Sequence, residues 1–274
     1  MSRIVITGAN TGIGKVTACE LARGGHEVLL ACRSAERTQP VVEELRRETG
    51  NDRIDFVPLD LADLGSVRRA AASILESGRP IDVLINNAGL AGQRGLTADG
   101  FELAFGVNHL GHFLLTNLLA ERLIESAPSR VVIVASRAHF RAPGIDFGAL
   151  RRPTRTVSGY PEYAVSKLAN VLHARALAKR FGGTGVHTYA LHPGVVASDV
   201  WRRVPWPVRA LMKRFMISNE EGARTSLYCA TSERCADETG LYYDECAPKT
   251  PSRFALDDAL AEQLWERSME WTER

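Results

Sequence analysis

The feature that most constrains this chain is a glycine-rich segment that directly follows its first apolar run. Residues Ile4–Thr7 form a short β-type run, and the segment Thr7-Gly8-Ala9-Asn10-Thr11-Gly12-Ile13-Gly14 leads from it into a helical pattern at Ile13–Arg23. Glycines at this spacing allow a tight turn, a close approach to the backbone and close packing of the helix on the strand. The free N–H groups of the first helical turn attract an anion. A glycine turn alone is a weak signal, but between a strand and a helix it predicts a site for the phosphates of a dinucleotide.

Short apolar runs alternate with longer helical patterns along the rest of the chain. The runs are continuously apolar, which is typical of a parallel sheet that is covered on both faces. The alternation predicts one Rossmann-type α/β domain over residues 1–274, with a doubly wound parallel sheet of about seven strands. Strands are predicted at Ile4–Thr7, Val28–Cys32, Ile54–Leu59, Val83–Ile85, Arg130–Ala135, His187–Ala190 and Gly240–Tyr243. Helices are predicted at Ile13–Arg23, about 36–47, Leu64–Leu75, about 101–126 and Pro161–Arg180.

Composition argues against several classes of protein. A formal net charge of only +2 over 274 residues gives no basic field for nucleic acid. The five cysteines lack a CxxC spacing and the seven histidines lack a ligand spacing such as HExxH, so we predict neither a disulfide scaffold nor a metal site. No signal peptide fits ahead of the first strand and no apolar run reaches spanning length, so we expect a cytoplasmic protein.

The end of the second strand bears on which dinucleotide the site prefers. A carboxylate at this position holds the free ribose 2′-hydroxyl of NAD. This chain has Ala31-Cys32-Arg33-Ser34 instead, and Arg33 offers a fork of donors to a 2′-phosphate. The pattern favours NADP(H) over NAD(H), with Arg37 and Lys15 adding charge; the alternative is that Arg33 is an ordinary surface arginine. Asp60, after the third strand, is expected either to meet the adenine amino group or to cap the helix that follows.

Tyr163 and Lys167 stand four residues apart in the last predicted helix and therefore share one of its faces. Bringing the pKa of a tyrosine from about 10 to about 7 takes about 4 kcal/mol. An ammonium about 4 Å away supplies about that much at an effective dielectric constant of about 20. We therefore expect Lys167 to lower the pKa of Tyr163, and Tyr163 to handle a proton. The alternative is a plain surface pair; the rival Tyr160 precedes Pro161 and is expected to be a packing or loop residue.

Two further polar residues are placed by the predicted elements. Ser136 follows the fifth strand and so lies at the carboxyl edge of the sheet, where ligands bind in α/β folds. It can donate a hydrogen bond to a substrate oxygen, or it can simply cap a turn. Asn108 lies inside a helical pattern although asparagine is a weak helix former, which favours a functional role over a solvated helix position.

The order of these motifs resembles the short-chain dehydrogenase/reductase superfamily over nearly the whole chain. The residues that carry the resemblance are the glycine segment, Asn86-Asn87-Ala88-Gly89, Ser136, Tyr163-Ala164-Val165-Ser166-Lys167 and Pro193-Gly194. Further segments are similar to its retinol dehydrogenase-like branch: Ala31-Cys32-Arg33, Asn108-His109-Leu110-Gly111-His112-Phe113, Ser166-Lys167-Leu168-Ala169-Asn170 and Leu191-His192-Pro193-Gly194-Val195-Val196. That branch usually carries a membrane anchor ahead of the first strand, and we expect none here.

The resemblance implies a set of site residues. It implies a catalytic tetrad of Asn108, Ser136, Tyr163 and Lys167, with Asn108 holding a water for a proton relay through Lys167. It implies that Pro193–Ser198 covers the nicotinamide, with Ser198 where the family usually has threonine. Together with the residues above, the expected cofactor contacts are Gly8, Asn10, Thr11, Gly12, Ile13, Gly14, Arg33, Asp60, Leu61, Asn87, Ala88, Gly89, Tyr163, Lys167, Pro193, Gly194, Val196 and Ser198. Dimers or tetramers through the two long helices are also implied.

The expected function is that of an NADP(H)-dependent oxidoreductase, a carbonyl reductase or alcohol dehydrogenase for a hydrophobic retinoid-, steroid- or aldehyde-like substrate. An insertion at about 196–219 is predicted as a substrate lid, because it holds the apolar residues Trp201, Trp206, Leu211, Met212, Phe215 and Met216. Its interleaved basic residues allow a helix that touches a membrane surface, and an ordinary packed helix is a third interpretation. The alternative function is a catalytically silent NADPH-binding sensor or scaffold of the same fold.

Overall fold

The centre of the molecule is one sheet. A computed structural model describes residues 1–194 and 217–273 of the chain. The strands are β1 (Arg3–Thr7), β2 (Glu27–Cys32), β3 (Ile54–Pro58), β4 (Val83–Asn86), β5 (Ser129–Val134), β6 (Val186–His192), β7 (Leu241–Asp244) and β8 (Ala247–Pro248). Their order is β3-β2-β1-β4-β5-β6-β7-β8, parallel except for the short β8. The prediction of a Rossmann-type, doubly wound parallel sheet of about seven strands is confirmed, and β8 adds a short hairpin to its edge.

The helices flank the sheet on both faces. They are α1 (Gly12–Arg23), α2 (Ala35–Thr49), α3 (Leu64–Glu76), α4 (Leu103–Phe105), α5 (Gly111–Leu118), α6 (Ala120–Glu125), α7 (Tyr160–Arg180), α8 (Asn219–Thr231) and α9 (Asp258–Thr272). A π-turn at Gly106–Leu110 joins α4 to α5. The helix predicted over about 101–126 is therefore interrupted, and α8 and α9 were not predicted. Within residues 1–194 and 217–273, no helix is both long and apolar enough to cross a bilayer.

Alternate residues of each strand enter two separate apolar cores. On β1, Val5 packs with α5, α7 and α9, whereas Ile4 and Ile6 pack with α1 and α8 on the opposite face. This alternation follows from the two-residue period of a strand, with both faces covered by helices. The two cores fix the carboxyl ends of the strands in one row, and that row carries the site.

Local signals explain where the helices that serve the site begin. Gly159, at φ 63°, turns the chain into α7, and Pro161 lies in its first turn, where its missing N–H is not needed. In α8, Ser218 accepts the N–H of Glu221, while the Glu221 carboxylate accepts the N–H of Ser218, which is a capping box. The predicted lid at about 196–219 lies almost entirely outside the described residues, and α8 already begins at Asn219.

Candidate active site

A cleft of about 780 Å³ runs along the carboxyl edge of the sheet. It crosses the point between β1 and β4 where the strand order reverses, which is the usual ligand position in open α/β sheets. Seventeen of the residues predicted for the site line this cleft: Gly8, Asn10, Thr11, Gly12, Ile13, Gly14, Arg33, Asp60, Leu61, Asn87, Ala88, Gly89, Ser136, Tyr163, Lys167, Pro193 and Gly194. The structure therefore brings together residues that are spread over most of the sequence.

The glycine segment is packed against the turn that follows β4. A side-chain carbon on Gly8 would lie 2.8 Å from the Ala88 Cβ, and one on Gly14 would lie 2.5 Å from the Asn87 Nδ2. Gly8 and Gly12 also have φ values of 65° and 56°, which favour glycine. The residues that begin α1, Gly12–Gly14, line the cleft, and the first N–H groups of a helix have no partner within the helix. This cradle fits the pyrophosphate of a dinucleotide.

A buried hydroxyl joins the two turns. The Thr7 Oγ1 accepts the backbone N–H groups of Asn87 and Ala88, each at 2.9 Å. The same oxygen lies 2.8 Å from the His112 Nε2, and the His112 Nδ1 lies 3.0 Å from the carbonyl oxygen of Asn108. Burial lowers the pKa of His112 to about 4, so its ring is neutral. Thr7 and His112 were not predicted as site residues, and only the position of Thr7 at a strand end pointed to such a role.

Ser136, Tyr163 and Lys167 meet at the other end of the cleft. The side chains of Ser136 and Tyr163 both line this part of the cleft, and the Ser136 hydroxyl acts to lower the pKa of Tyr163. The Lys167 Nζ donates to the carbonyl oxygen of Val134 at 2.8 Å and lies 5.6 Å from the centre of the Tyr163 ring. The Ser136 Oγ also accepts the N–H of Ala138 at 3.1 Å, so this serine caps a turn and faces the cleft at the same time.

Loss of solvent shifts the pKa values of Tyr163 and Lys167 in the opposite direction from the one expected. Tyr163 is only half-buried, yet loss of solvent around its hydroxyl raises its pKa to about 12, against the opposing effect of the Ser136 hydroxyl. Burial lowers the pKa of Lys167 to about 7, so its ammonium is only partly populated at neutral pH. The expectation that Lys167 brings the pKa of Tyr163 near 7 is therefore wrong in this structure. Tyr163 is a protonated phenol, which makes it an acid.

Asn108 lies behind the cleft wall rather than on it. It belongs to the π-turn between α4 and α5 and is fully buried, so the solvated alternative is wrong. Its side chain accepts the N–H of Leu90 at 2.8 Å, donates to the Leu90 carbonyl at 3.0 Å and donates to the Ser166 hydroxyl at 2.9 Å. Asn108 thereby fixes the loop after Gly89, next to the Lys167 ammonium. A π-turn of this kind is frequent at functional sites.

The opposite end of the cleft is lined by basic side chains. Arg33 and Arg37 are exposed and line the cleft, and neither pairs with a carboxylate in the part of the chain that the structure describes. Lys15, in contrast, is bound to Glu44 at 2.7 Å and does not line the cleft. Of the three basic residues proposed from the sequence, only the two arginines are free to meet a 2′-phosphate.

Asp60 faces the cleft but does not cap the next helix. One carboxylate oxygen of Asp60 accepts the N–H of Ala62 at 2.9 Å, which closes a local turn. The N-cap of α3 is Asp63, which accepts the N–H of Gly65 at 2.8 Å. The capping alternative is therefore wrong, and the second oxygen of Asp60 is left for a ligand.

The predicted and the observed cleft residues differ in two ways. Two predicted cofactor contacts, Val196 and Ser198, lie outside the described residues. The cleft is also lined by residues that were not predicted: Leu90, Gln93, Leu103, Val107, Arg137, Ala138, Arg141, Tyr160 and His192. Except for His192, which ends β6 inside a quoted segment, these residues come from loops and helices that carry no local motif. Among the described residues, no three His, Cys, Asp or Glu side chains are grouped to hold a metal ion.

Comparison with known proteins gives a consistent picture. The sequence model of the short chain dehydrogenase family matches residues 2–149. Bovine (Bos taurus) dehydrogenase/reductase SDR family member 13 is 47% identical over 273 residues, which is 96% of this chain and 71% of that protein. Human (Homo sapiens) retinol dehydrogenase 13 is 43% identical, covering 97% of this chain and 82% of that protein. Mouse (Mus musculus) retinol dehydrogenase 12 is 46% identical, and the match covers 97% of this chain and 85% of that protein.

Solved structures share the fold. An uncharacterized protein from Mycobacterium paratuberculosis is 34% identical with a TM-score of 0.80, covering 100% of this chain and 94% of that chain. Levodione reductase is 20% identical with a TM-score of 0.73, and the match covers 95% of this chain and 98% of that chain. This likeness shows a common fold.

Proposed function

Because this chain belongs to the short-chain dehydrogenase family, whose members are oxidoreductases that bind a nicotinamide cofactor, we propose that it is an NADP(H)-dependent reductase of hydrophobic carbonyl compounds. The observation that carries the proposal is the meeting of Tyr163, Ser136 and Lys167 in one cleft with the glycine cradle. Members of the family act on CH–OH and C=O groups, and these three side chains supply what such a reaction needs from the protein.

The preference for NADP(H) is supported by charge at the end of β2. Arg33 and Arg37 present two guanidinium groups to the cleft, and no carboxylate of the described chain neutralises them. A fork of donors suits a 2′-phosphate, whereas NAD(H) would be favoured by an acid at this position. The free oxygen of Asp60 supports a contact with the adenine amino group.

The chain's own residues handle the proton. The bound nicotinamide would exchange the hydride with the substrate carbon. Tyr163 is protonated at neutral pH and can donate its proton to the substrate oxygen, while the Ser136 hydroxyl donates a hydrogen bond to the same oxygen. Lys167 lies beside the Tyr163 ring and stabilises the phenolate that is left. Asn108 holds the loop that carries Gly89 against Lys167.

A hydrophobic substrate is supported by the walls near Tyr163. Leu90, Val107, Ala138 and Tyr160 line the cleft, and the Tyr160 ring centre lies 6.1 Å from that of Tyr163. Two of the similar proteins are named retinol dehydrogenases, which favours retinoid-like or other long aldehydes and alcohols. A lid over 196–219 remains part of this proposal.

The test is reduction of a carbonyl panel followed by cofactor absorbance. Decanal, all-trans-retinal, a steroid ketone and the small aldehyde acetaldehyde are offered with NADPH and with NADH. We expect turnover of decanal or retinal with NADPH, and KM values for NADPH at least about tenfold below those for NADH. NADPH binding without turnover of any panel member would instead support the silent sensor or scaffold.

The location of the protein in the cell and its oligomeric state remain predictions. Cell fractionation tests whether the protein is cytoplasmic. It also tests whether the segment predicted as a lid touches membranes. Light scattering tests the dimer or tetramer implied by the family resemblance.

A further inference from the structure

The residue after Ser136 is held in place by side chains at the ends of two neighbouring strands. Arg137 donates from its Nε to the Asp244 Oδ2 at 2.6 Å, and its backbone N–H donates to the His192 Nδ1 at 3.3 Å. A longer contact of 3.5 Å joins the Arg137 Nη2 to the Glu245 Oε1. The first residue of the 3-10 helix Arg137–Arg141 is thus fixed through both its side chain and its backbone.

The two main anchors are register partners at the ends of neighbouring strands. His192 ends β6 and Asp244 ends β7, and the two are paired in the sheet, so their side chains leave on the same face. The Asp244 side chain is only 9% exposed, whereas that of Arg137 is 54% exposed. A buried carboxylate is strongly destabilised without a charged partner, so Asp244 holds the guanidinium in one orientation.

The turn that follows Asp244 is strained. Glu245 and Cys246 are consecutive residues other than glycine with φ values of 54° and 59°. Such left-handed backbone costs free energy for residues with a side chain, and it persists where surrounding contacts fix it. Here the two residues form the loop of the hairpin between β7 and β8, and a two-residue hairpin loop of this type requires positive φ at both positions, so this turn fixes where β7 ends at Asp244.

A second anchor fixes the backbone of Ser136 itself. The His139 Nε2 accepts the N–H of Ser252 at 3.1 Å, so the proton of the neutral ring lies on Nδ1. That Nδ1 donates to the carbonyl oxygen of Ser136 at 2.7 Å. With the backbone held at Ser136 and at Arg137, the serine hydroxyl has a defined position opposite Tyr163.

We propose that Asp244 is a positioning residue that acts through Arg137 to hold the Ser136 hydroxyl beside Tyr163. The proposal rests on the role given to Ser136 in the proposed function. Asp244 does not line the cleft, so its effect on catalysis must pass through the residues it binds.

A double-mutant cycle separates positioning from general stability. The kcat and KM values are measured with NADPH and either decanal or all-trans-retinal for the wild type, Asp244→Asn, Ser136→Ala and the double variant. We expect Asp244→Asn to lower kcat roughly ten- to thirtyfold, because a small misplacement of a catalytic group is costly, with KM changed less than about threefold. In the Ser136→Ala background the same change should lower kcat by less than about twofold, because the hydroxyl it positions is gone.

Controls distinguish the outcomes. Glu245→Gln removes only the longer contact in the same turn and should leave kcat unchanged. Arg137→Gln breaks the same ion pair from its exposed partner and replaces Asp244→Asn if that variant does not fold. An equal loss of kcat in both backgrounds, or no loss in either, overturns the positioning role. If Ser136→Ala itself has no effect on kcat, the role of Ser136 in the proposed function fails, and this inference fails with it.

Discussion

The two ends of the cleft differ in how far the fold has fixed the polar groups that face it. At the end that holds Tyr163, Lys167 is buried and donates to the Val134 carbonyl, and Ser136 accepts the N–H of Ala138. At the end of the cleft beside β2, Arg33 and Arg37 are exposed and lack carboxylate partners within the described residues. The polar groups at the first end are therefore held by contacts within the protein, whereas the two guanidinium groups at the second end are available to the cofactor phosphate that we propose for it. Substitutions should therefore act on kcat at one end and on cofactor affinity at the other.

The largest effect is expected from removing the phenol. Tyr163→Phe should lower kcat by about a thousandfold, because general acid catalysis contributes on this order, while NADPH affinity stays within about twofold. The measurement is steady-state reduction together with fluorescence titration of NADPH.

The matched control is Tyr160→Phe. Its ring centre is 6.1 Å from that of Tyr163 and it also lines the cleft, but it is 38% exposed. Its kcat should change less than about threefold. Equal losses in the two variants would contradict the assignment of Tyr163 as the acid.

The second effect tests the burial of Lys167 through stability. Its pKa is about 7 in the folded protein against a usual 10.5, so between these values the unfolded state binds more protons and wild-type stability rises with pH. Below pH 7 Lys167 is charged in both states, so burying its charge lowers the free energy of unfolding by the full amount. Above pH 7 the buried lysine is neutral, and this loss shrinks until pH 10.5. Lys167→Met should thus be most stabilising at low pH, and its advantage should fall by about 2–3 kcal/mol between pH 6 and pH 9.

Guanidinium unfolding of both proteins at the two pH values measures this difference. Lys179→Met is the control, since Lys179 is 57% exposed and paired with Asp258. A pH-independent difference between wild type and Lys167→Met would mean that the lysine is not buried as described.

The third effect concerns the basic end. Arg33→Ala should raise the KM for NADPH roughly ten- to thirtyfold, because it removes charge-assisted hydrogen bonds to the 2′-phosphate, and should leave the KM for NADH unchanged. Arg47→Ala, an exposed arginine of α2 away from the cleft, is the control. Equal changes for both cofactors would show that Arg33 does not select between them.

The smallest effect is expected from Asp60→Asn. The amide oxygen can still accept the N–H of Ala62, so the turn is kept, and only the oxygen facing the cleft changes character. The KM values for NADPH and NADH should both rise by up to about threefold. A loss that is confined to NADPH would place this residue beside the 2′-phosphate rather than the adenine.

The sequence predicted the sheet because most of its strands are apolar runs that alternate with helical patterns, and because the glycine segment lies between the first strand and the first helix. It also predicted that Tyr163 and Lys167 are neighbours, because residues four positions apart lie on the same face of a helix. It did not predict their pKa values, since desolvation depends on what the rest of the chain packs around them. The weak helix propensity of Asn108 marked an unusual position, but the π-turn that creates it is invisible in residue types.

Contacts between distant parts of the chain account for most of what was missed. Asp244 meets Arg137 across 107 positions, and His192 meets it across 55, with no spacing that would suggest either pairing. The helix α9 packs on α7 through Leu264, but its apolar residues are too interspersed with charge to stand out in the sequence.

We propose that in this cleft a hydride passes from the nicotinamide to a carbonyl carbon while Tyr163 donates a proton to the carbonyl oxygen. The most direct measurement uses NADPH deuterated at either face of its reactive carbon, with decanal in ordinary water and mass spectrometry of the decanol. We predict that one of the two labelled forms places a single deuterium on the carbinol carbon, at a rate about a thousandfold lower in Tyr163→Phe. Decanol free of deuterium from both labelled forms would contradict the account.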